Sequence, residues 1–171
     1  GCPWRRDDAG NLVVSVAGSA GRADHPAVIV QNHLDMVTVK PADKAHDFHT
    51  QPLTLQVADG WLSADRTTLG ADNGVGCAAA LALMTDPDVV HPPLELLFTV
   101  DEETGLTGVL QMDPTLLSGK LLINLDSEDE GVFVIGCAGG RNTTIKRALD
   151  FQTLSPGYER IAVSAHGMQG G

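Results

Sequence analysis

Six side chains of this 171-residue chain have the chemistry to hold a metal or move a proton: His33, Asp35, Asp72, Glu102, Glu103 and Asp126. Each ends or interrupts an apolar run, so folding would gather them at one edge of a sheet. Carboxylates crowded there would repel one another, and divalent cations with oxygen and imidazole ligands are a common way of relieving that repulsion. In His33-Leu34-Asp35 the two polar side chains fall on the same side of an extended segment, because strand side chains repeat every second residue. His33 could ligate through one ring nitrogen while Asp35 braces it from behind. Taken alone, the triplet is more often a hydrogen-bonded polar pair than part of a ligand set.

Asp72 lies between Gly70 and Gly74, where the backbone can bring a carboxylate to the start of a helix; on local evidence a plain helix N-cap explains it better. Glu102 and Glu103 follow a buried run directly. Neighbouring side chains point in different directions, so one could bind a metal while the other reaches the water on it, a division that metal-assisted hydrolysis needs. A solvated acidic loop is the alternative. Asp126 is another acid at a strand end, whereas Glu128, Asp129 and Glu130 read as solvated surface. Gly136-Cys137-Ala138-Gly139-Gly140 could form a tight turn, but without a following Lys-Ser/Thr it lacks the phosphate-loop pattern. His25, His46, His49, His91 and His166 have no paired spacing and read as surface or loop residues.

The elements that must position these groups follow from hydrophobic period and turn chemistry. Leu12 to Val16 and Ala27 to Gln31 read as strands, the second leading into His33. Val37 to Gln51 is a polar excursion. Leu53 to Val57 and Trp61 to Ala64 form a hairpin around Ala58-Asp59-Gly60. Val75 to Met84 predicts a helix buried on most sides and closed by Asp86-Pro87. Leu94 to Val100 is a continuous apolar strand of the kind buried on both faces, and Leu121 to Leu125 repeats it. Gly131 to Ile135 is a further strand, and Asn142 to Phe151 and Arg160 to Ala165 could pair as later ones. The result is α/β: a mixed, partly parallel sheet with flanking helices, its polar cluster at the strand ends, where open α/β sheets place their sites.

Composition narrows the function. Eleven Lys and Arg against 22 Asp and Glu give a net charge of −11, which argues against nucleic acid as a partner. Three cysteines without CxxC spacing suit a reducing compartment. No signal peptide pattern opens the chain and no apolar run approaches the roughly 20 residues of a membrane span, so the expectation is a cytoplasmic protein with no membrane partner. An opening glycine and a closing Gly170-Gly171 after a strand-like run suggest a piece of a longer polypeptide.

In order along the chain, Gln31-Asn32-His33-Leu34-Asp35-Met36-Val37, Thr68-Leu69-Gly70-Ala71-Asp72-Asn73-Gly74-Val75-Gly76, Asp101-Glu102-Glu103-Thr104-Gly105 and Leu125-Asp126-Ser127-Glu128 resemble the dizinc aminopeptidase and carboxypeptidase superfamily. Together with Gly136 to Gly140, they are most similar to the aminoacyl-histidine dipeptidases, or Xaa-His dipeptidases. The resemblance implies a zinc-exopeptidase-like catalytic domain with two divalent metal ions, zinc before cobalt or manganese. It makes His33 and Asp126 ligands of one metal, Asp72 the bridging carboxylate and Glu103 a ligand of the second. Glu102 becomes the general base and Asp35 the carboxylate supporting His33, and the peptide after Asp72 is expected to be cis. The implied reaction is hydrolysis of dipeptides or short peptides by a metal-activated water.

The resemblance also implies limits. Residues 1–155 correspond to a partial catalytic domain and 156–171 to the opening of a lid domain; the family's His-Ser-Gly segment and last His ligand lie beyond, and His166 does not replace them. The parent is expected to be a homodimer, and this chain alone weakly active or inactive. Two alternatives stay open: a structural or metal-binding fragment without catalysis, and an aminoacylase or carboxypeptidase of the same superfamily.

Overall fold

The computed structural model describes residues 1–127, 131–136, 144, 146–148, 150 and 156–157. The chain divides into two compact units, Gly1–Glu128 and Asp129–Gly171. The first unit runs β1 (Trp4–Arg6), β2 (Leu12–Val16), β3 (Val28–His33), β4 (Leu55–Ala58), β5 (Trp61–Ala64), α1 (Ala71–Thr85), β6 (Leu94–Thr99), α2 (Thr107–Leu110), a 3-10 turn at Pro114–Leu116, and β7 (Leu121–Asn124). β1, β2, β6, β3 and β7 lie side by side in that order, and β4 and β5 form a separate antiparallel hairpin. β2 is antiparallel to β1 and β6, whereas β3 is parallel to both β6 and β7. The fold is α/β with a mixed, partly parallel sheet.

β6 occupies the middle, and all six of its residues are buried. Period two divides its side chains. Leu94, Leu96 and Phe98 join Val16 and Val30 against Ala80, Cys77, Leu83 and Met84 of α1. Leu97 joins Val13 and Ile29 against Leu116, Met112 and Leu117 on the other face. A strand covered on both faces reads as a mainly apolar run, broken in β6 by Glu95 and Thr99, both of them buried.

The regular part of α1 begins after a non-helical Asp72 and Asn73 and lies close to β3 at Gly76. A Cβ there would collide with the carboxamides of Asn32 and Asn73, so only glycine permits the approach. The orientation of Asn32 that satisfies its neighbours has its nitrogen donating to the carbonyls of Gly76 (3.3 Å) and Gln31 (3.2 Å). These contacts bring the start of α1 to the end of β3.

One acid of β6 belongs to the core rather than to a site. Glu95, 6% exposed, accepts the Ser118 hydroxyl (2.6 Å) and the amide N–H groups of Ser118 and Gly119 (3.0 Å each), fastening the loop that leads into β7. Burial alone would raise its pKa, but the bonds from Ser118 and Gly119 and the charge of Arg5 outweigh burial and hold it below the ordinary value of 4.5.

Some boundaries differ from expectation. β3 begins at Val28 and ends at His33, so the imidazole occupies the last ladder position, at the strand end expected of it. β1 and α2 are short elements that periodicity did not predict. Gly131 to Ile135 is not a strand: Gly131 has φ +74°, and Phe133 and Ile135 are almost fully exposed. The apolar run has the right composition but no ladder partner among the described residues, and pairing decides a strand. Half of the expected strand at Asn142–Phe151 falls outside the described residues, and Arg160–Ala165 wholly so, as do Cys137 and His166. Of the segment 156–171, only Pro156 and Gly157 are described.

Glu95→Ala should destabilise the fold by about 3 kcal/mol, because it strands buried donors at Ser118 and Gly119. Urea denaturation would read this as a lower midpoint. The folded-state pKa is depressed, so this contribution is present above pH 4.5 and lost as pH falls through the lower folded value. The variant should therefore converge on the parent in strong acid.

Candidate metal centre

The parallel pairing of β3 with β6 and β7 brings three strand ends to one edge of the sheet, and every chemical side chain singled out above lies there. His33 closes β3, Glu102 and Glu103 follow β6, Asp126 follows β7, and Asp72 sits at the head of α1. Donor atoms of His33, Asp72 and Glu103 lie within 4.8 Å of one another. Asp126 approaches the same imidazole, its Oδ2 3.6 Å from His33 Nε2.

His33 is 1% exposed, and its two nitrogens face different partners. Nδ1 lies 2.9 Å from the Asp35 carbonyl oxygen, which can only accept, so Nδ1 carries a proton and donates it. Nε2 lies 3.0 Å from Asp72 Oδ1. A neutral ring would set two lone pairs against each other there. The geometry calls for a cation on the Nε2 side, either a second proton or a metal, with Nδ1–H on a carbonyl as is usual behind a metal-bound imidazole. The donor set, one imidazole with carboxylate oxygens, suits zinc and other first-row divalent ions.

Asp35 is a second organising point. Its two carboxylate oxygens accept the amide N–H groups of Glu102 and Glu103, each at 3.1 Å, while Oδ1 lies 3.4 Å from His33 Nδ1. One carboxylate therefore fixes the ring on β3 and the acidic turn after β6. Burial opposes its ionisation, but the amides of Glu102 and Glu103 and the His33 charge hold its pKa below the ordinary value. The turn itself passes through the left-handed region at Asp101 (φ +55°), with the Thr107 hydroxyl donating to Asp101 Oδ2 at 3.1 Å.

Asp72 is not an N-cap. Gly70 (φ +75°) occupies that position, a Cβ there would come 2.8 Å from Met36 Sδ, and Asp72 turns its carboxylate to His33 instead. The Asp72–Asn73 peptide is cis. Cys77 packs beneath the site, its thiol donating to the His33 carbonyl oxygen at 3.2 Å, and burial raises its pKa. A larger concavity of about 660 Å³ lies at the other ends of β3 and β7, lined by residues such as His25, Pro92 and Lys120, and it collects no acids.

The sequence motifs contain Gln31, Asn32 and Asn73 but assign them no role, and Thr99 and Asn124 carry no motif signal. Counting back in twos from His33 would have placed Gln31 on the face of the imidazole.

Both protonatable ends of the cluster bind protons tightly. Burial and the adjacent Asp72 raise Asp126 to about 6. Burial lowers the His33 pKa, but the bond to Asp72 and the charges of Asp126 and Asp35 outweigh it and raise the ring above 6.5. The folded state thus holds more protons than the unfolded one. This stabilisation is complete below 3.8 for Asp126 and below 6.5 for His33, and it is lost as pH rises through each raised folded value. In chelator, the melting temperature should fall as pH rises through about 6 and beyond. A divalent cation should cancel the fall, and Asp72→Asn should flatten it. A profile that stays level in the metal-free protein would contradict the electrostatics of the cluster.

No family model matches the chain. It is 42% identical over 166 residues to the cytosol non-specific dipeptidase of Escherichia coli K12, covering 97% of this chain and 34% of that protein. The structure resembles aminoacylhistidine dipeptidase from Vibrio alginolyticus, with TM-score 0.73 and 40% identity over 77% of this chain and 27% of that one. It also resembles a tripeptidase from Staphylococcus aureus, with TM-score 0.60 and 25% identity over 75% of this chain and 35% of that one. The chain spans between 34% and 38% of the length of the curated relatives it matches. The likeness to aminoacyl-histidine dipeptidases read from the four motifs holds along the chain.

Proposed function

We propose that this chain carries most of the metal centre of a metal-dependent dipeptidase, the activity belonging to a longer protein. The observation that carries the reading is the convergence of His33, Asp72 and Glu103 at the carboxyl ends of parallel strands, with Asp126 beside the same imidazole. His33, Asp72, Glu103 and Asp126 would hold two divalent ions, zinc being the first choice. Such ions supply Lewis-acid polarisation of a peptide carbonyl and make water a stronger acid.

The chain's own groups have separable tasks. His33 offers Nε2 because the Asp35 carbonyl occupies Nδ1. Asp35 holds the backbone of Glu102 and Glu103 so that their side chains diverge from a fixed turn. Glu103 joins the ligand cluster, while Glu102 is half-buried and near enough to Asp126 for its charge to act on it. In the proposed reaction Glu102 takes a proton from the attacking water and returns it to the departing amine nitrogen. The substrate class is dipeptides, with Xaa-His among them, in line with the names of the dipeptidases this chain resembles. No described helix is long and apolar enough to cross a membrane, and a cytoplasmic setting is part of the same proposal.

Cobalt or zinc titration of the chain near neutral pH should give saturable binding that His33→Ala abolishes. Glu102→Gln should leave that binding in place. In the full-length protein the same substitution should lower kcat on dipeptides by roughly 10²- to 10⁴-fold with little change in KM, the usual contribution of a general base. Absence of divalent-metal binding would sink the metal assignment. Turnover that survives Glu102→Gln would sink the role of the base, and a preference for N-acyl amino acids over dipeptides would move the substrate class.

A further inference from the structure

We propose that Asn124 and Gln31 are positioning residues that aim Asp126 at the metal centre through a chain of hydrogen bonds across three strand ends. Gln31 of β3 stands opposite Asn124 of β7 in the parallel register. The Asn124 amide nitrogen donates to the Gln31 carboxamide oxygen. The Gln31 amide nitrogen donates to the Thr99 hydroxyl at 3.2 Å, and that hydroxyl donates to the Asn32 carbonyl oxygen at 3.2 Å. At the other end, Asn124 Oδ1 accepts the amide N–H of Asp126 at 2.9 Å.

The direction of donation along this chain is determined at its buried end. Thr99 is fully buried, and its single hydroxyl proton goes to a backbone carbonyl, which cannot donate. The hydroxyl must therefore accept from Gln31. Gln31 then has its amide nitrogen toward Thr99 and its oxygen toward Asn124, so Asn124 must offer its nitrogen to Gln31. Only the Asn124 oxygen is left for the Asp126 amide, and an Asx turn of this kind bends the chain two residues on. That bend leaves the Asp126 carboxylate beside His33 Nε2. Asp126 belongs to no strand ladder, and it gains its aim from side chains anchored in β3 and β6.

This inference rests on the metal reading above for its consequence but not for its geometry, and two measurements separate them. In metal-free protein, the Asp126 backbone amide should exchange slowly with solvent, and Gln31→Leu should speed exchange and shift the Asp126 and Asn124 signals in nitrogen-15 NMR spectra. In cobalt titrations, Gln31→Leu and Asn124→Ala should each weaken binding roughly 10-fold and alter the visible cobalt spectrum, the effect expected when a ligand loses its supporting partner. Asn124→Ser keeps an oxygen for the Asp126 amide and should recover part of the loss. Should Asn124→Ala fail to fold, Gln31→Leu carries the same comparison. Unchanged exchange at Asp126 in Gln31→Leu overturns the proposal, as does wild-type cobalt affinity in both variants. If the parent chain binds no divalent metal, the functional reading fails while the exchange measurement still decides the positioning role.

Discussion

The parallel pairing of β3 with both β6 and β7 is the constraint on which the rest depends. It aligns Asn32 with Phe98, His33 with Thr99, and Gln31 with both Leu97 and Asn124, so the chain leaves three strands at one level. Antiparallel pairing would have sent those exits to opposite edges and separated His33 from Glu102, Glu103 and Asp126. The register of β3 with β6 is held by burial. Shifting β6 by one residue would turn Leu94, Leu96 and Phe98 away from α1 and place Glu95 and Thr99 against it.

At that edge the molecule concentrates negative charge around one buried imidazole. Asp72, Asp126, Glu102 and Glu103 gather there, and the raised proton affinities of Asp126 and His33 register the accumulated negative charge. Asp35 works in the opposite sense. Held ionised by two backbone amides, it spends its negative charge on structure and leaves the remaining acids free to face the site. Carboxylates near one another in sequence and space thus take different roles because their hydrogen-bond partners differ.

Much of the fold was legible before any coordinates. The apolar run from Leu94 announced a central strand, and the small residues from Val75 announced a helix; expected to be buried on most sides, that helix buries one face at Gly76 and Ala80 and leaves Val75 and Leu81 exposed. His33, Asp72, Glu103 and Asp126 were singled out by type and by position at the ends of apolar runs. The N-cap alternative for Asp72 was decided by a contact at long range. Asp72 could have capped its helix, but Gly70 takes that place and Asp72 reaches 39 residues back to His33. Gly131 to Ile135 had the composition of a strand, yet composition does not supply a pairing partner.

The sequence by itself determined which groups could do chemistry and that they would sit beside strand ends, because residue type and hydrophobic period are properties of the chain. It could not say what each group would touch. Asp35 accepting the amides of Glu102 and Glu103, and Asn124 linked through Gln31 to Thr99, are contacts between residues up to 93 positions apart. Their partners are backbone amides and neutral carboxamides, which carry no distinctive sequence signal. Only the packed sheet, by fixing strand order and register, decided which of them meet.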